Sequence, residues 1–356
     1  MTQGPEISAQ GPLAGLQVLE FASIGPGPHA AMLLADMGAT VIRIDRPGGN
    51  GWPNPVADRG RSMLEIDIRT DAGRERCADL AAQADVLIEG LRPGVMERLG
   101  LGPDVLCARN PRLVYGRMTG WGQTGPLAGA AGHDINYVAL AGALAPMGDA
   151  GGPPRPPLNL VGDFGGGSTF LVMGVLAALW ERERSGRGQV VDAAIVDGVS
   201  SLMTFFAGLL PNGAISLDRD RNLLSGAAPF YRCYRCADGR DISVGAIEPQ
   251  FHRRLLELID APLSLLDGRD DPANWPGQSE VMARIFATRT QAQWCEILEG
   301  TDACFAPVLT LEEAAEHPHN RARHAYGRVE GALSAAPAPR FSRTPGAARD
   351  GLPFSD

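Results

Sequence analysis

The sequence predicts an α/β fold whose first half is a parallel sheet. Short apolar runs of strand length recur along that half, and helical segments bounded by Gly or Pro separate them. After Pro211 the composition turns polar and the alternation stops, which marks a second, smaller domain.

The opening run Leu16–Phe21 (LQVLEF) reads as a buried strand, Gly25–Pro28 as a turn, and His29–Met37 as a helix closing at Gly38. Ala39–Ile44 (ATVIRI) follows as the next strand, so the chain opens with a β-α-β unit and parallel pairing. Ser62–Ile68 alternates like a strand, Thr70–Ala84 has helical spacing, and Asp85–Glu89 (DVLIE) is a third buried run. Arg92–Gly94 is a turn, Val95–Leu99 starts a helix, and Leu113–Met118 and Val190–Val196 are further strands, the latter running into an apolar helix over Asp197–Leu210. The first turn is GPGP and not G-x-G-x-x-G, and prolines lack the amides that a pyrophosphate needs, so NAD binding is not expected.

Beyond Pro211, Phe230–Cys236 and Asp241–Ala246 flank a tight Asp-Gly turn and read as a hairpin. Helical spacing marks Gln250–Ile259, Glu280–Thr288 and Gln291–Glu299, and Cys304–Val308 is a last strand. Thr310–Tyr326 leads back out, and Ala336–Asp350 is an extended Pro-rich strap.

The chain has 356 residues and a formal charge of −9, which argues against general affinity for nucleic acid or anionic membrane. All 32 basic Lys/Arg positions are Arg, the planar bidentate binder of phosphate and carboxylate. Six scattered Cys include one lone C-x-x-C, Cys233 and Cys236, without a second ligand pair at zinc spacing; two ordinary thiols are expected, in a reduced, cytoplasmic chain. The first residues show no signal peptide, and the apolar run Phe170–Trp180 is too short to span a bilayer.

The stretch richest in chemistry is Gly132–Gly167. His133 opens a helix expected over His133–Leu144, with Ile135, Val138 and Ala139 on its apolar face and Asp134 as a candidate cap. Asn159–Asp163 reads as the end of a short strand, and the glycines Gly165–Gly167 open a long apolar helix over Thr169–Glu183. His133 and Asp163 are an imidazole and a carboxyl group able to face one carbon from opposite sides, which is what moving a proton across that carbon requires. Asp163 is equally readable as a helix cap, and Arg46 either as an anion or adenine contact at a strand end or as a solvated side chain.

GHDINY (132–137) and PLNLVGDFGGG (157–167), with the blocks at 15–48, 89–103, 115–126, 185–193 and 245–251, resemble the α-methylacyl-CoA racemases of the class III CoA-transferase (CaiB/BaiF-type) family in collinear order. The resemblance implies a Rossmann-like large domain, a small α+β domain and an interlocked homodimer. On that plan residues 1–210 form the CoA-binding domain, completed by 326–356, with a linker at 211–228, the small domain at 229–310 and a return linker at 311–325. It assigns His133 and Asp163 as the acid/base pair, Glu248 as a carboxylate holding the histidine from the partner subunit, and Asp134 and Asn159 as orienting neighbours. Arg46, Arg92 and Arg98 match basic contacts to the nucleotide, Ile66, Asp67, Ile68 and Arg69 a strand end lining the adenine pocket, and Tyr137 a pantetheine-side contact, with Gly132 also among the CoA-binding residues. The implied activity is inversion at carbon 2 of 2-methylacyl-CoA thioesters without a metal or redox cofactor, CoA being part of the substrate. The alternatives are CoA transfer between carboxylic acids with Asp163 as nucleophile, and a non-catalytic CoA-binding protein.

Overall fold

A computed structural model describes residues 11–49 and 53–349. The reading of the first residues, the stretch 50–52 between the strands expected at Ala39–Ile44 and Ser62–Ile68, and the end of the C-terminal strap lie outside the described residues. The chain divides into two units, one made of residues 1–142, 158–202 and 315–356, the other of 143–157 and 203–314. In this division the segment 158–202 of the first unit closes at Leu202, and residues 143–157 cluster with the second.

In the first unit six strands form one sheet: β1 (Gln17–Phe21), β2 (Thr40–Asp45), β3 (Arg61–Glu65), β4 (Val86–Glu89), β5 (Val114–Thr119) and β6 (Val190–Ala194). Their order is β3-β2-β1-β4-β5-β6, and every pair is parallel. Leu19 of β1 pairs with Ile42 on one side and Leu87 on the other. On one face, Leu19, Ile44, Leu87 and Tyr115 pack with Cys77, Ala78 and Ala81 of the helix Asp71–Gln83 and with Met96, Leu101 and Leu106. Thr70 caps that helix by accepting the N–H of Gly73. Helix Pro103–Arg109, which the sequence reading passed over, starts on proline in the position where a missing N–H is harmless.

The strands also bury charge. Arg61 and Glu20 form a 2.6 Å ion pair with both side chains at 0% exposure, and Arg43 reaches Asp58 at 2.8 Å and Asp45 at 3.2 Å. Such pairs persist in a core only because each partner neutralises the other.

Leu160–Ser168 is a π-helix that runs straight into the α-helix Thr169–Ser185, where a strand end and a glycine turn were expected. The glycines explain the difference. A Cβ on Gly166 would meet the backbone N of Val199 at 2.8 Å, and one on Gly198 the carbonyl of Gly166 at 1.9 Å. Two bare backbones therefore cross in contact, and the helix Ile195–Leu202 lies directly on the π-turn. The combined helix Leu160–Ser185, 26 residues, is long and apolar enough to cross a membrane by composition. Here it is docked on the sheet, with Leu171 and Val175 against Gly116 of β5, and its end is held by Arg182, which pairs with Asp85 at 3.0 Å.

In the second unit β7 (Tyr231–Arg235), β8 (Asp241–Gly245) and β9 (Phe305–Pro307) form an antiparallel sheet. Its core gathers Tyr234, Ile242, Leu255, Leu256, Met282, Phe286 and Trp294. Cys233 is exposed and Cys236 buried, both are free, and burial pushes the Cys236 thiol up to about 11. The return linker carries two helices, Leu311–Glu316 and Pro318–Ala322, and an unexpected antiparallel hairpin (Tyr326–Val329 with Ala332–Ala335) follows. From Ala315 onward the chain belongs to the first unit again, and the strap docks there: Ala347 N–H donates to the Asp36 carbonyl at 3.0 Å, and Arg349 to the carbonyls of Ala35 and Ala39.

Candidate active site

β1 and β4 are neighbours whose chains continue to opposite sides of the sheet, and the crevice beyond their carboxyl ends is where open α/β sheets bind ligands. A cavity of about 580 Å³ opens there. The loop after β1 brings Ser23 and Gly25 to it, the loop after β4 brings Gly90 and Arg92, and the segment after β5 brings Trp121. His133, Asp134, Tyr137, Asn159 and Asp163 complete the wall, so the two expected acid/base residues share one cavity.

His133 occupies the capping position of the helix Asp134–Leu140, in extended backbone, and is exposed. Its backbone N–H donates to Asn136 Oδ1 at 3.0 Å, which fixes the entry to the helix. The helix stops short of Leu144 because Gly142 takes a positive φ of 81°. Of the expected apolar face only Val138 is buried; Ile135 and Ala139 are exposed, and Tyr137 is the second buried side chain. Tyr137 donates to the Gly132 carbonyl and packs edge-on against Trp121, ring centres 4.7 Å apart. Gly120 and Gly132 leave room for that ring: a Cβ there would lie 2.0 Å and 2.8 Å from it.

Asp134 is not a helix cap. Its Oδ1 accepts the backbone N–H of Asp163 at 2.6 Å, so the first residue of one helix holds the turn that carries the other acid/base group. Burial raises the Asp134 carboxyl, and the N–H groups of Asp163 and Gly162 partly offset this. Asp163 sits in the first turn of the π-helix, and burial raises its carboxyl as well. Opposing that rise are the Asn159 amide, which donates to Oδ2 at 3.4 Å, and the charge of His133, while Asp134 adds to it. Gly25 faces the same oxygen: with φ at 72°, its position would place a Cβ 3.1 Å from Asp163 Oδ2.

A second cavity, about 400 Å³, shares Ser23, Ile24, Gly90 and Leu91 with the first, so one long ligand can follow both. Phe21, Ile44, Arg46, Ile66 and Ile68 line it. The expected strand end over Ile66–Arg69 is thus corrected in part, because β3 stops at Glu65 and the side chains alternate. Asp67 and Arg69 pair with each other instead, through two 2.8 Å bonds; the Arg69 bonds hold the Asp67 carboxyl at about 2. Arg92 reaches the first cavity, while Arg98 stands exposed at the end of the short helix Val95–Arg98 and lines neither. Glu248 belongs to the second unit, exposed, at the capping position of the helix Pro249–Leu258. Among the described residues no group of three or more His, Cys, Asp or Glu could hold a metal ion. Sequence reasoning missed Ser23, Gly25 and Trp121; the GPGP turn was a signal for Gly25, but it was weighed only as a phosphate loop.

The family described as CoA-transferase family III matches residues 13–355. The chain belongs to that family. It is 46% identical to an alpha-methylacyl-CoA racemase from Mus musculus over 334 residues, 94% of this chain and 87% of that one. The racemase from Homo sapiens is 42% identical over the same shares. The crystal structure of a CAIB/BAIF family protein from Brucella suis superposes with a TM-score of 0.84 at 25% identity, covering 97% of this chain and 96% of that one.

Proposed function

We propose that the protein interconverts the epimers at carbon 2 of 2-methylacyl-CoA thioesters, carrying a proton across that carbon between His133 and Asp163. One observation carries the reading: both groups line a single cavity, tied together through Asp134, in a chain 46% identical to a racemase. The thioester carbonyl acidifies the hydrogen on carbon 2. One member of the pair removes it, and the other returns a proton to the opposite face. Amides at the starts of the helices Pro26–Asp36 and Asp134–Leu140 border the cavity and would stabilise the enolate oxygen by about 3 kcal/mol. In the first of these Pro26 and Pro28 carry no N–H, which leaves the task to Gly27.

In this reading the nucleotide of CoA takes the second cavity, with its adenine between Ile66 and Ile68 and phosphates toward Arg46 and Arg92; Tyr137 and Gly132 flank the pantetheine. The chemistry is acid–base alone, CoA being part of the substrate. A homodimer that sets Glu248 of one protomer beside His133 of the other rests on the family resemblance. The exposed Leu140, Leu160, Met173 and Trp180 of the first unit support a covering partner, and light scattering of the purified protein tests it. Six free cysteines support a reduced, cytoplasmic setting.

The reading is tested by chiral separation after incubation with one pure epimer. Wild type gives both epimers, whereas His133→Ala and Asp163→Ala each lose interconversion and keep CoA binding by calorimetry. CoA transfer with Asp163 as nucleophile has the family's own description in its favour. That reading replaces epimerisation if acyl groups move to an added carboxylate while the starting epimer stays pure.

A further inference from the structure

The π-turn that carries Asp163 is held from outside by a histidine the proton-transfer chemistry leaves unused. His29 lies in the first turn of the helix Pro26–Asp36, and its N–H donates to the carbonyl of Gly25, the glycine that faces the Asp163 carboxylate. The ring Nδ1 is 2.6 Å from Ser168 Oγ, and the ring lies against Phe164 with centres 4.5 Å apart. Ser168 is fully buried and its hydroxyl donates to the Phe164 carbonyl at 3.1 Å. That uses the one hydroxyl proton, so Nδ1 of His29 carries the hydrogen of the His29–Ser168 bond. Burial and the nearby Arg59 keep the imidazole below its ordinary pKa, against a smaller opposing effect of Asp36, so the ring is neutral.

Phe164, next to Asp163, is the pivot of the π register. Its N–H donates to the Asn159 carbonyl at 3.3 Å, five residues back, and its carbonyl accepts the N–H of Thr169, five residues on. Hydrogen bonds of this spacing compete with the commoner i→i+4 pattern. Gly165, Gly166 and Gly167 add no side chain that would favour either. Relaxation to the α spacing would rotate Asp163 away from Gly25 and from the cavity.

We infer that His29 is a positioning residue: by gripping Ser168 and packing on Phe164 it keeps the turn in the register that aims Asp163 at the substrate carbon. The inference rests on the proposed role of Asp163 as a proton carrier. The test compares His29→Leu, His29→Asn and Ser168→Ala with wild type in kcat, KM, the pH profile of kcat/KM and amide hydrogen exchange of segment 160–169. His29→Leu, which fills the space without the bond, lowers kcat by about a hundredfold and leaves KM within about twofold. His29→Asn, whose amide N–H stands where Nδ1 stood, regains most of that loss, and Ser168→Ala repeats the defect if His29→Leu fails to fold. Segment 160–169 exchanges about tenfold faster in the Leu variant. The acid limb of the profile moves to lower pH, since water reaching Asp163 removes the burial that raises it; Asp134, His133, Asn159 and Tyr137 are the groups facing that carboxyl. Unchanged exchange of the segment, or equal impairment by Leu and Asn, overturns the inference. If wild type itself does not epimerise, the proton-carrier role falls, and the exchange comparison still decides whether His29 holds the turn.

Discussion

The carboxylate of Asp134 accepts the backbone N–H of Asp163 at 2.6 Å and so fixes one acid/base residue relative to the other. Asp134 follows His133 directly in the chain, so a shift of the helix start moves both halves of the site together. Replacing Asp134 by Ala leaves the part-buried N–H of Asp163 without the carboxylate it donates to, at about 1–3 kcal/mol. The expected result is a lower melting temperature and a kcat reduced more than KM is raised. Asp134→Asn keeps one acceptor and loses less. A kcat equal to wild type in Asp134→Ala contradicts this role.

Gly25 offers a second check on the same carboxylate. Its backbone is left-handed and a Cβ would sit 3.1 Å from Asp163 Oδ2. Gly25→Ala should destabilise the fold by roughly 1–2 kcal/mol through strain and lower kcat by displacing Asp163. Denaturant unfolding and initial rates measure both, and a fully active variant rules out the close approach.

The pH dependence follows from the burial of Asp163. The pair works only while it holds a single proton, and its two one-proton forms stand in a fixed ratio. Both epimers must therefore show the same limbs in kcat/KM. Burial raises Asp163 above the ordinary aspartate value of 3.8, so the acid limb lies above that value. The folded chain holds this proton more tightly than the unfolded one, so the group's contribution to stability is present at low pH and lost as pH rises through the raised pKa. Asn159→Ala removes an N–H that favours the ionised form, and the acid limb moves to higher pH. A limb that stays put, or that differs between epimers, contradicts the assignment.

The loop carrying Arg92 is braced from below. Glu89 at the end of β4 accepts the N–H of Leu91 at 2.8 Å, and Arg117 of β5 binds Glu89 at 3.0 Å and Glu97 at 2.7 Å. Arg92→Ala and Arg117→Met are both expected to raise KM for the CoA thioester by about tenfold with little change in kcat. The matching pantetheine thioester, which lacks the nucleotide, should be insensitive to Arg92→Ala. Equal effects on both substrates would remove Arg92 from the nucleotide side.

Beneath the sheet's first three strands, the fully buried pair Arg61–Glu20 is structural. Arg61→Met strands the Glu20 charge and is expected to lower unfolding free energy by about 3–5 kcal/mol, read from urea transitions. A loss under about 1 kcal/mol would show that Glu20 finds water or a proton instead.

The parallel sheet was legible because its central strands β1, β4 and β5 are short apolar runs buried on both faces, which few other arrangements produce. His133 and Asp163 were legible as chemistry-bearing types, although their shared cavity was not. The π-turn was illegible: three glycines argue locally for a loop, and only the backbone contact of Gly166 with Gly198, a tertiary fact, makes them helical. Asp134 looked like a cap because Asp often is one, while its partner lies in another element. The partners of Glu20, Arg43 and Arg61 were illegible, since nothing in one sequence says which opposite charges will meet. The hairpin around Glu330-Gly331 could have been found. Both residues take positive φ, 49° and 83°, and a Gly in second place is a common hairpin-turn signal.

The central claim is that an imidazole and a carboxyl group take turns holding one hydrogen of a thioester's second carbon. Incubating wild type with a pure (2S)-2-methylacyl-CoA in deuterated water and following carbon 2 by NMR and mass spectrometry tests it most directly. The account predicts deuterium at carbon 2 in both epimers as they approach equilibrium. Retention of the original hydrogen, with the acyl group passed to an added carboxylate, would contradict it.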